Sequence, residues 1–215
     1  MNKLERVGIE TVLNIFKAEN GNLKVLLFKD KGNWKLPSRM LEEKESLNDC
    51  SKNTLEKFVG YSNLFLKQLP AFNKLLEYDN SRVVSVSYLC LTDSITEKLR
   101  FKIDDVLEYK WSAINEMPVL IDNHKEFLTN TLEILKKEVE NPNILIKLYP
   151  ADFTLPELQK MIEKLLDISL DRRNFRKKLL VKDWIKETGK NSEPGNGRPG
   201  KLYTFNKNIK EESLY

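Results

Sequence analysis

Thr154-Leu-Pro-Glu-Leu-Gln-Lys-Met-Ile-Glu-Lys-Leu-Leu-Asp-Ile-Ser-Leu-Asp-Arg-Arg-Asn-Phe-Arg-Lys-Lys178 reads as two helices and the turn between them. Thr154 and Glu157 have the spacing of a capping box, in which hydroxyl and carboxylate satisfy free amides at a helix start, and Pro156 is tolerated in the first turn. Leu155, Leu158, Met161, Ile162, Leu165 and Leu166 then form one apolar face. Asp167 to Leu170 is a short connection, and Asp171 is placed to cap the second helix. The pattern predicts a helix-turn-helix.

The second helix carries the functional signal. A 100° step per residue puts Phe175, Leu179 and Leu180 on the buried side and Arg173, Asn174, Lys177 and Lys178 opposite them. Arg and Lys neutralise phosphates, and Arg, Lys and Asn also hydrogen-bond base edges in the major groove. Arg172 sits at the edge of the stripe. Arg176 projects between Leu179 and Leu180 and is expected to lie along the domain surface, paired with an acid such as Glu163 or Asp183.

Beyond this helix, Trp184 to Thr188 and Leu202 to Phe205 are short β-prone runs. The connection Gly189 to Gly200 between them holds four of the chain's eight glycines and predicts a mobile loop. Arg198 and Lys201 at its end can reach phosphate or a minor groove, with Lys190 a weaker candidate. Helix, turn, helix and hairpin together predict a winged helix-turn-helix. The DNA-binding candidates are therefore Arg172, Arg173, Asn174, Lys177, Lys178, Arg198 and Lys201. Two blander readings stand beside this one: a solvated basic face, and a winged module that binds protein.

Charge agrees with that placement. The segment before Asn143 holds 21 Lys+Arg against 22 Asp+Glu, and the segment from Asn143 on holds 15 against 10, so the net charge of +4 divides into −1 and +5. At 215 residues the chain is long enough for one large or two modest domains. No apolar run approaches the roughly 20 residues of a membrane helix, and Met1 to Arg6 shows no signal-peptide pattern, so a cytoplasmic protein is expected. Cys50 and Cys90, the two cysteines, read as reduced buried thiols.

The front portion alternates strands and helices. Val7 to Phe16 and Leu23 to Phe28 flank Asn20-Gly21, whose residues tolerate positive φ, and predict a tight hairpin. Glu45 to Phe58 reads as a helix with Ser46 or Glu45 near its start. Arg82 to Leu91 reads as a central strand, with Val84, Val86, Tyr88 and Cys90 on one face. Phe127, Leu128, Leu132, Leu135 and Val139 have the spacing of a long amphipathic helix over Asn123 to Glu140. Asn141-Pro142-Asn143 stops it and marks a domain boundary. The single histidine, His124, reads as a cap or surface residue, and Trp34 and Trp111 as core or pocket walls.

Trp34-Lys-Leu-Pro-Ser-Arg39-Met-Leu-Glu-Glu-Lys-Glu45, continuing to Leu55 and Gly60, is similar to the Nudix box. With the box's first glycine at Arg39, its first Glu falls on Glu45, its apolar position on Leu55 and its last glycine on Gly60. The Arg and Glu that follow fall on Asn53 and Thr54, and the paired Glu on Lys57 and Phe58. In Nudix hydrolases these glutamates hold Mg²⁺, a task that needs several hard oxygen ligands close together. Thr54, Lys57 and Phe58 supply no carboxylate, and Arg39 is expected to crowd a turn that favours glycine.

Both halves together resemble the Nudix-related transcriptional regulators, over nearly the whole chain. The resemblance implies an α+β fold: an N-terminal Nudix-like α/β/α sandwich with a mixed sheet, residues 1–142, followed by a C-terminal winged helix-turn-helix domain, residues 143–215. It implies a non-catalytic, effector-sensing and dimerising front domain, whose ligand is ADP-ribose in one branch of the family and L-arabinose in another. Arg82 to Tyr88 and Leu120 to His124 look like the sugar-responsive branch, with Asn123 where that branch tends to have Asp. Arg39, Glu45 and Arg82, polar groups near the former active-site cleft, are the effector-binding candidates. The expected partners are a palindromic double-stranded operator, a small-molecule effector and a second copy of the chain, without cofactor, metal or membrane. Repression is the expected direction. The competing reading is an active Nudix hydrolase of nucleoside diphosphate derivatives that gathers Mg²⁺ through Glu42, Glu43, Glu45 or Glu56 and carries a basic tail.

Overall fold

The structure is a computed structural model that describes residues 7–60, 64–70, 75–78, 81–92, 108–121, 123–149, 152–193 and 199–206. Its front part is built on an eight-stranded mixed sheet. Strand β1 (Val7–Glu19) turns through Asn20 and Gly21, with φ of 52° and 71°, into β2 (Asn22–Asp30). That is the two-residue turn the dipeptide predicts. A second such turn, Lys31-Gly32, leads into β3 (Asn33–Lys35), and β4 (Ser38–Met40) returns along β1. Beyond helix α1 (Leu47–Val59) come β5 (Phe65–Gln68), β6 (Leu75–Tyr78), β7 (Ser81–Leu91) and β8 (Tyr109–Ala113). β1 and β7 run parallel from Val7 opposite Arg82 to Phe16 opposite Leu91, and the other pairings are antiparallel.

Alternation along β1 sorts the core into two layers. Leu13 and Ile15 join Val86, Tyr88 and Cys90 of β7 against Leu55, Phe58 and Val59 of α1. Val12 and Phe16 face the other way, with Leu89 and Leu91, onto Phe127, Leu128 and Leu135 of α2 (His124–Glu138). The result is helix, sheet, helix. β7 is buried on both faces, Ser85 and Ser87 included, as a central strand must be.

Asn141-Pro142-Asn143 ends α2 but does not open a linker. Asn141 accepts the Asn143 N–H at 2.9 Å and Pro142 starts α3 (Pro142–Leu148). Ile144, Leu145 and Leu148 of α3 join an apolar core that runs without a break into the back of the chain.

That back part begins with β9 (Phe153–Thr154), followed by α4 (Leu155–Leu166), α5 (Arg172–Val181), β10 (Ile185–Asn191) and β11 (Lys201–Phe205). The three strands form a sheet in the order β10, β11, β9. Its core is Leu158, Met161, Ile162, Leu165, Phe175, Leu179, Trp184, Ile185, Tyr203 and Phe205. The β1–β2 turn rests on α4: the Lys164 ammonium donates to Asn22 Oδ1, and a Cβ added at Gly21 would lie 2.8 Å from Lys160 Cδ. Among the described residues, no helix is long and apolar enough to cross a membrane.

Candidate DNA interface and effector site

The helix-turn-helix is held by the bonds its sequence predicts. The Glu157 N–H donates to Thr154 Oγ1 at 3.4 Å, and the Thr154 N–H donates to Glu157 Oε2 at 3.1 Å, which closes the capping box. Asp167 ends α4 in the left-handed region, φ 55°. Glu163 then braces the turn, accepting Gln159 Nε2 at 2.9 Å and the Leu170 N–H at 2.8 Å. Those two hydrogen bonds, Gln159 first, hold its carboxyl below the ordinary carboxylate range. Asp171 caps α5 by accepting the Asn174 N–H at 2.9 Å.

On α5 only Phe175 and Leu179 are buried, and Arg172, Arg173, Asn174, Lys177 and Lys178 are all exposed. One expectation fails. Leu180, assigned above to the buried side, is 40% exposed. Leu180 lies a further 100° step round the helix from Leu179, off the line through Phe175 and Leu179, and past the helix end the Trp184 N–H donates to Leu179 O at 3.0 Å with Trp184 buried in the core. Arg176 is ion-paired on the surface, but with Glu187 of β10 at 3.4 Å and not with Glu163 or Asp183. Glu163 is occupied in the turn, and Asp183 accepts Asn206 Nδ2 at 3.0 Å.

Lys201 opens β11, exposed, with its ammonium 2.8 Å from Glu187. Lys190 pairs with Asp152 at 3.3 Å. The first wing strand outlasts its expected end at Thr188. It continues to Asn191 through an irregular register in which Gly189, at φ 79°, takes a conformation that suits glycine. Arg198 lies outside the described residues, as does the middle of the expected loop.

In the front domain, the box segment forms a strand, a loop and helix α1. Ser46 caps the helix by accepting the Asp49 N–H at 3.1 Å, and Gly60, φ 80°, closes it by donating to Glu56 O at 2.8 Å. Arg39 does not crowd a tight turn, because its backbone is part of β4, opposite Thr11. Its guanidinium pairs with Glu45 and, at 2.9 Å, with Glu42. Glu45 also accepts Asn53 Nδ2 at 2.8 Å. Loss of water opposes the charged carboxylate, but the bonds from Asn53 and Arg39 outweigh it and hold Glu45 below its usual range. Arg82 is paired to Val7 through its backbone, and its side chain lies outside the described residues.

Two of the remaining box positions, Thr54 and Phe58, have turned to packing. Thr54 is fully buried and donates to Cys50 O at 2.6 Å, while the Phe58 ring lies 4.7 Å from that of Phe28. Lys57 is exposed. A threonine, a lysine and a phenylalanine do not fit a Mg²⁺ cluster, and the box carboxylate that is present, Glu45, is already matched by a guanidinium.

His124 is neither a cap nor a surface group. It is 6% exposed, and its Nδ1 accepts the Leu36 N–H at 3.1 Å. Burial, with a smaller push from Lys35, lowers its pKa to about 4. A neutral imidazole therefore ties α2 to the β3–β4 connection, a pairing across 88 residues that local pattern does not signal. Trp34 and Trp111 are walls of the sheet capped by lysines, Lys110 4.4 Å over Trp34 and Lys17 4.7 Å over Trp111.

The chain thus joins a helix–sheet–helix sandwich of the Nudix type, without the carboxylates at Thr54, Lys57 and Phe58, to a winged helix whose outer helix is cationic. Residues 145–205 match the family model of the NrtR DNA-binding winged helix domain. That match covers the winged-helix part of the chain. A relative from Acinetobacter baylyi, the ADPR responsive transcriptional repressor NtrR, is 25% identical over 201 residues, spanning 89% of this chain and 79% of its own. Among solved structures, Shewanella oneidensis NrtR complexed with a 27mer DNA superposes with a TM-score of 0.74 at 24% identity, over 92% of this chain and 93% of that one. A MutT/nudix family protein from Enterococcus faecalis superposes with a TM-score of 0.70 at 20% identity, over 96% and 89%. The structural likenesses carry the fold.

Proposed function

We propose that this regulator is a repressor that grips duplex DNA through α5 and the wing and is released by ADP-ribose bound to its front domain. The observation that carries the reading is the outer face of α5: a helix with two buried residues, Phe175 and Leu179, that leaves Arg172, Arg173, Asn174, Lys177 and Lys178 exposed. Such a face neutralises phosphates and reads base edges. Lys201, exposed at the start of β11, extends it onto the wing, and Arg198, outside the described residues, is proposed as a further DNA contact. Residues 1–142 act as the sensor and residues 143–215 as the reader, in a cytoplasmic homodimer that meets a palindromic operator with two recognition helices. ADP-ribose is preferred over L-arabinose because the Acinetobacter baylyi relative is named as ADPR responsive. Arg39, Glu45 and Arg82 are the proposed effector contacts, Arg39 as the guanidinium for a phosphate. The front domain binds this ligand without hydrolysing it, since Thr54, Lys57 and Phe58 stand where metal-holding carboxylates are needed.

Fluorescence anisotropy with the duplex upstream of the chain's own gene tests the reading, with ADP-ribose and L-arabinose as parallel arms. Binding that ADP-ribose weakens and arabinose leaves alone is expected. Absence of duplex binding, or indifference to ADP-ribose, overturns it. Lys177→Ala combined with Lys178→Ala should lower the slope of log affinity against log salt by about two, one for each phosphate no longer neutralised. Mg²⁺-dependent turnover of ADP-ribose that disappears in Glu45→Gln would overturn the non-catalytic assignment.

A further inference from the structure

An anion, Glu187, sits between the recognition helix and the wing. The Glu187 carboxylate on β10 accepts Lys201 Nζ at 2.8 Å and Tyr203 OH at 3.1 Å, both from β11, and faces Arg176 Nη2 of α5 at 3.4 Å. It therefore bridges recognition helix and wing. Beside it a groove of about 280 Å³ opens between the start of α4, α5 and β11, lined among others by Pro156, Gln159, Arg172, Phe175, Arg176 and Lys201. Arg172 and Arg176 are one helical turn apart and share a face.

We propose that this groove seats a backbone phosphate of the DNA duplex, and that Glu187 is the resident anion whose donors the phosphate takes over. The inference rests on the DNA-binding reading above. A guanidinium, an ammonium and a phenol converging on one carboxylate are the donors a phosphate oxygen requires. The exchange is easy because both ion pairs are exposed: the side chains of Arg176, Lys201 and Glu187 are 52%, 61% and 40% accessible. The groove adjoins Arg172 at the start of the outer helix, so a strand lying along α5 passes its mouth. Until DNA arrives, Glu187 keeps Arg176 and Lys201 aimed at that mouth and cancels one of the groove's three positive charges.

Glu187→Gln, which keeps the shape and removes the charge, tests this in the full-length chain by duplex binding over a range of salt. The variant should bind several-fold more tightly at low salt, with a slope steeper by about one. Arg176→Ala and Lys201→Ala should each lower the slope by about one, and Glu187→Gln should add nothing once both cations are gone. Unchanged or weaker binding by a Glu187→Gln protein of wild-type Tm overturns the proposal. If that variant unfolds, the two alanine variants decide by themselves, because unchanged slopes in both overturn it as well. Inorganic phosphate that competes with wild type but not with Arg176→Ala/Lys201→Ala, while those changes leave the slope alone, would assign the groove to a free anion. A wild-type chain that binds no duplex removes both this inference and the repressor reading. A chain that responds as predicted to Lys177→Ala/Lys178→Ala but not to the Glu187 variants loses this inference only.

Discussion

Helices α1 and α5 are both amphipathic, both capped and both charged in sequence, yet they have opposite fates. Six of the residues of α1 are buried, Cys50, Ser51, Thr54, Leu55, Phe58 and Val59, whereas α5 buries only Phe175 and Leu179. In α1 two of the positions at which a Nudix box places carboxylates, Thr54 and Phe58, are part of the packing, and the third holds the exposed Lys57. In α5 every basic side chain faces out. Packing thus decides where chemistry can reside: a helix that gives six side chains to a core has fewer left for a ligand than one held by two anchors.

The largest test of this contrast is at Phe58. Phe58 is 5% exposed, packed on Phe28 among Leu55, Val59 and Val86. Phe58→Ala should lower unfolding free energy by about 3–5 kcal/mol, measured by urea denaturation, while the protein that remains folded binds DNA normally. Phe58→Glu, which restores a box carboxylate, should be worse, because it buries an unpaired charge. A stable Phe58→Glu protein that binds Mg²⁺ would break the comparison by showing that α1 still keeps a metal site within reach.

How far each region can be read from sequence follows the same line. The reader is legible because its signals are local: Thr154 with Glu157, Asp171 before the basic run, and apolar residues at helical spacing. Asn20-Gly21 and the box loop are local for the same reason, and Lys31-Gly32 is a turn signal of the same kind that also marks a hairpin. What cannot be read is set by three-dimensional packing and by competition between partners, which a local pattern does not specify. Leu180 is exposed while Trp184 is buried in the core, and Arg176 pairs with Glu187 while Glu163 and Asp183 are bonded elsewhere. α3 is hidden since Asn141-Pro142-Asn143 ends one helix and starts another equally well.

His124 gives the next largest effect, and it belongs to the sensor. The folded chain holds the imidazole neutral with a pKa lowered to about 4, whereas the unfolded chain takes up a proton near the ordinary 6.5. The stability tied to this group is therefore fully present above 6.5 and is lost as pH falls toward 4, on the order of 3 kcal/mol in all. Denaturation midpoints across that interval should fall more steeply in wild type than in His124→Gln. Equal slopes would mean that the imidazole is accessible to protons in the folded chain.

The smallest effect separates the two helices most finely. α5 has few buried anchors, so its first turn depends on the Asp171 carboxylate that accepts the Asn174 N–H. Asp171→Ala should cost about 1 kcal/mol and raise hydrogen exchange at the first turn of α5. Removing that carboxylate also removes a negative charge from the cationic face, an effect that by itself favours DNA. Asp171→Asn separates the two contributions, because asparagine caps about as well as aspartate but carries no charge. It should keep the exchange protection and bind DNA more tightly than wild type, whereas Asp171→Ala gains charge but loses order. The matching change in α1, Ser46→Ala, removes a cap of the same kind and should leave DNA affinity unchanged. If Asp171→Asn and Asp171→Ala bind DNA alike, the cap does not order the reading face, and α5 must be held by Phe175 and Leu179 alone.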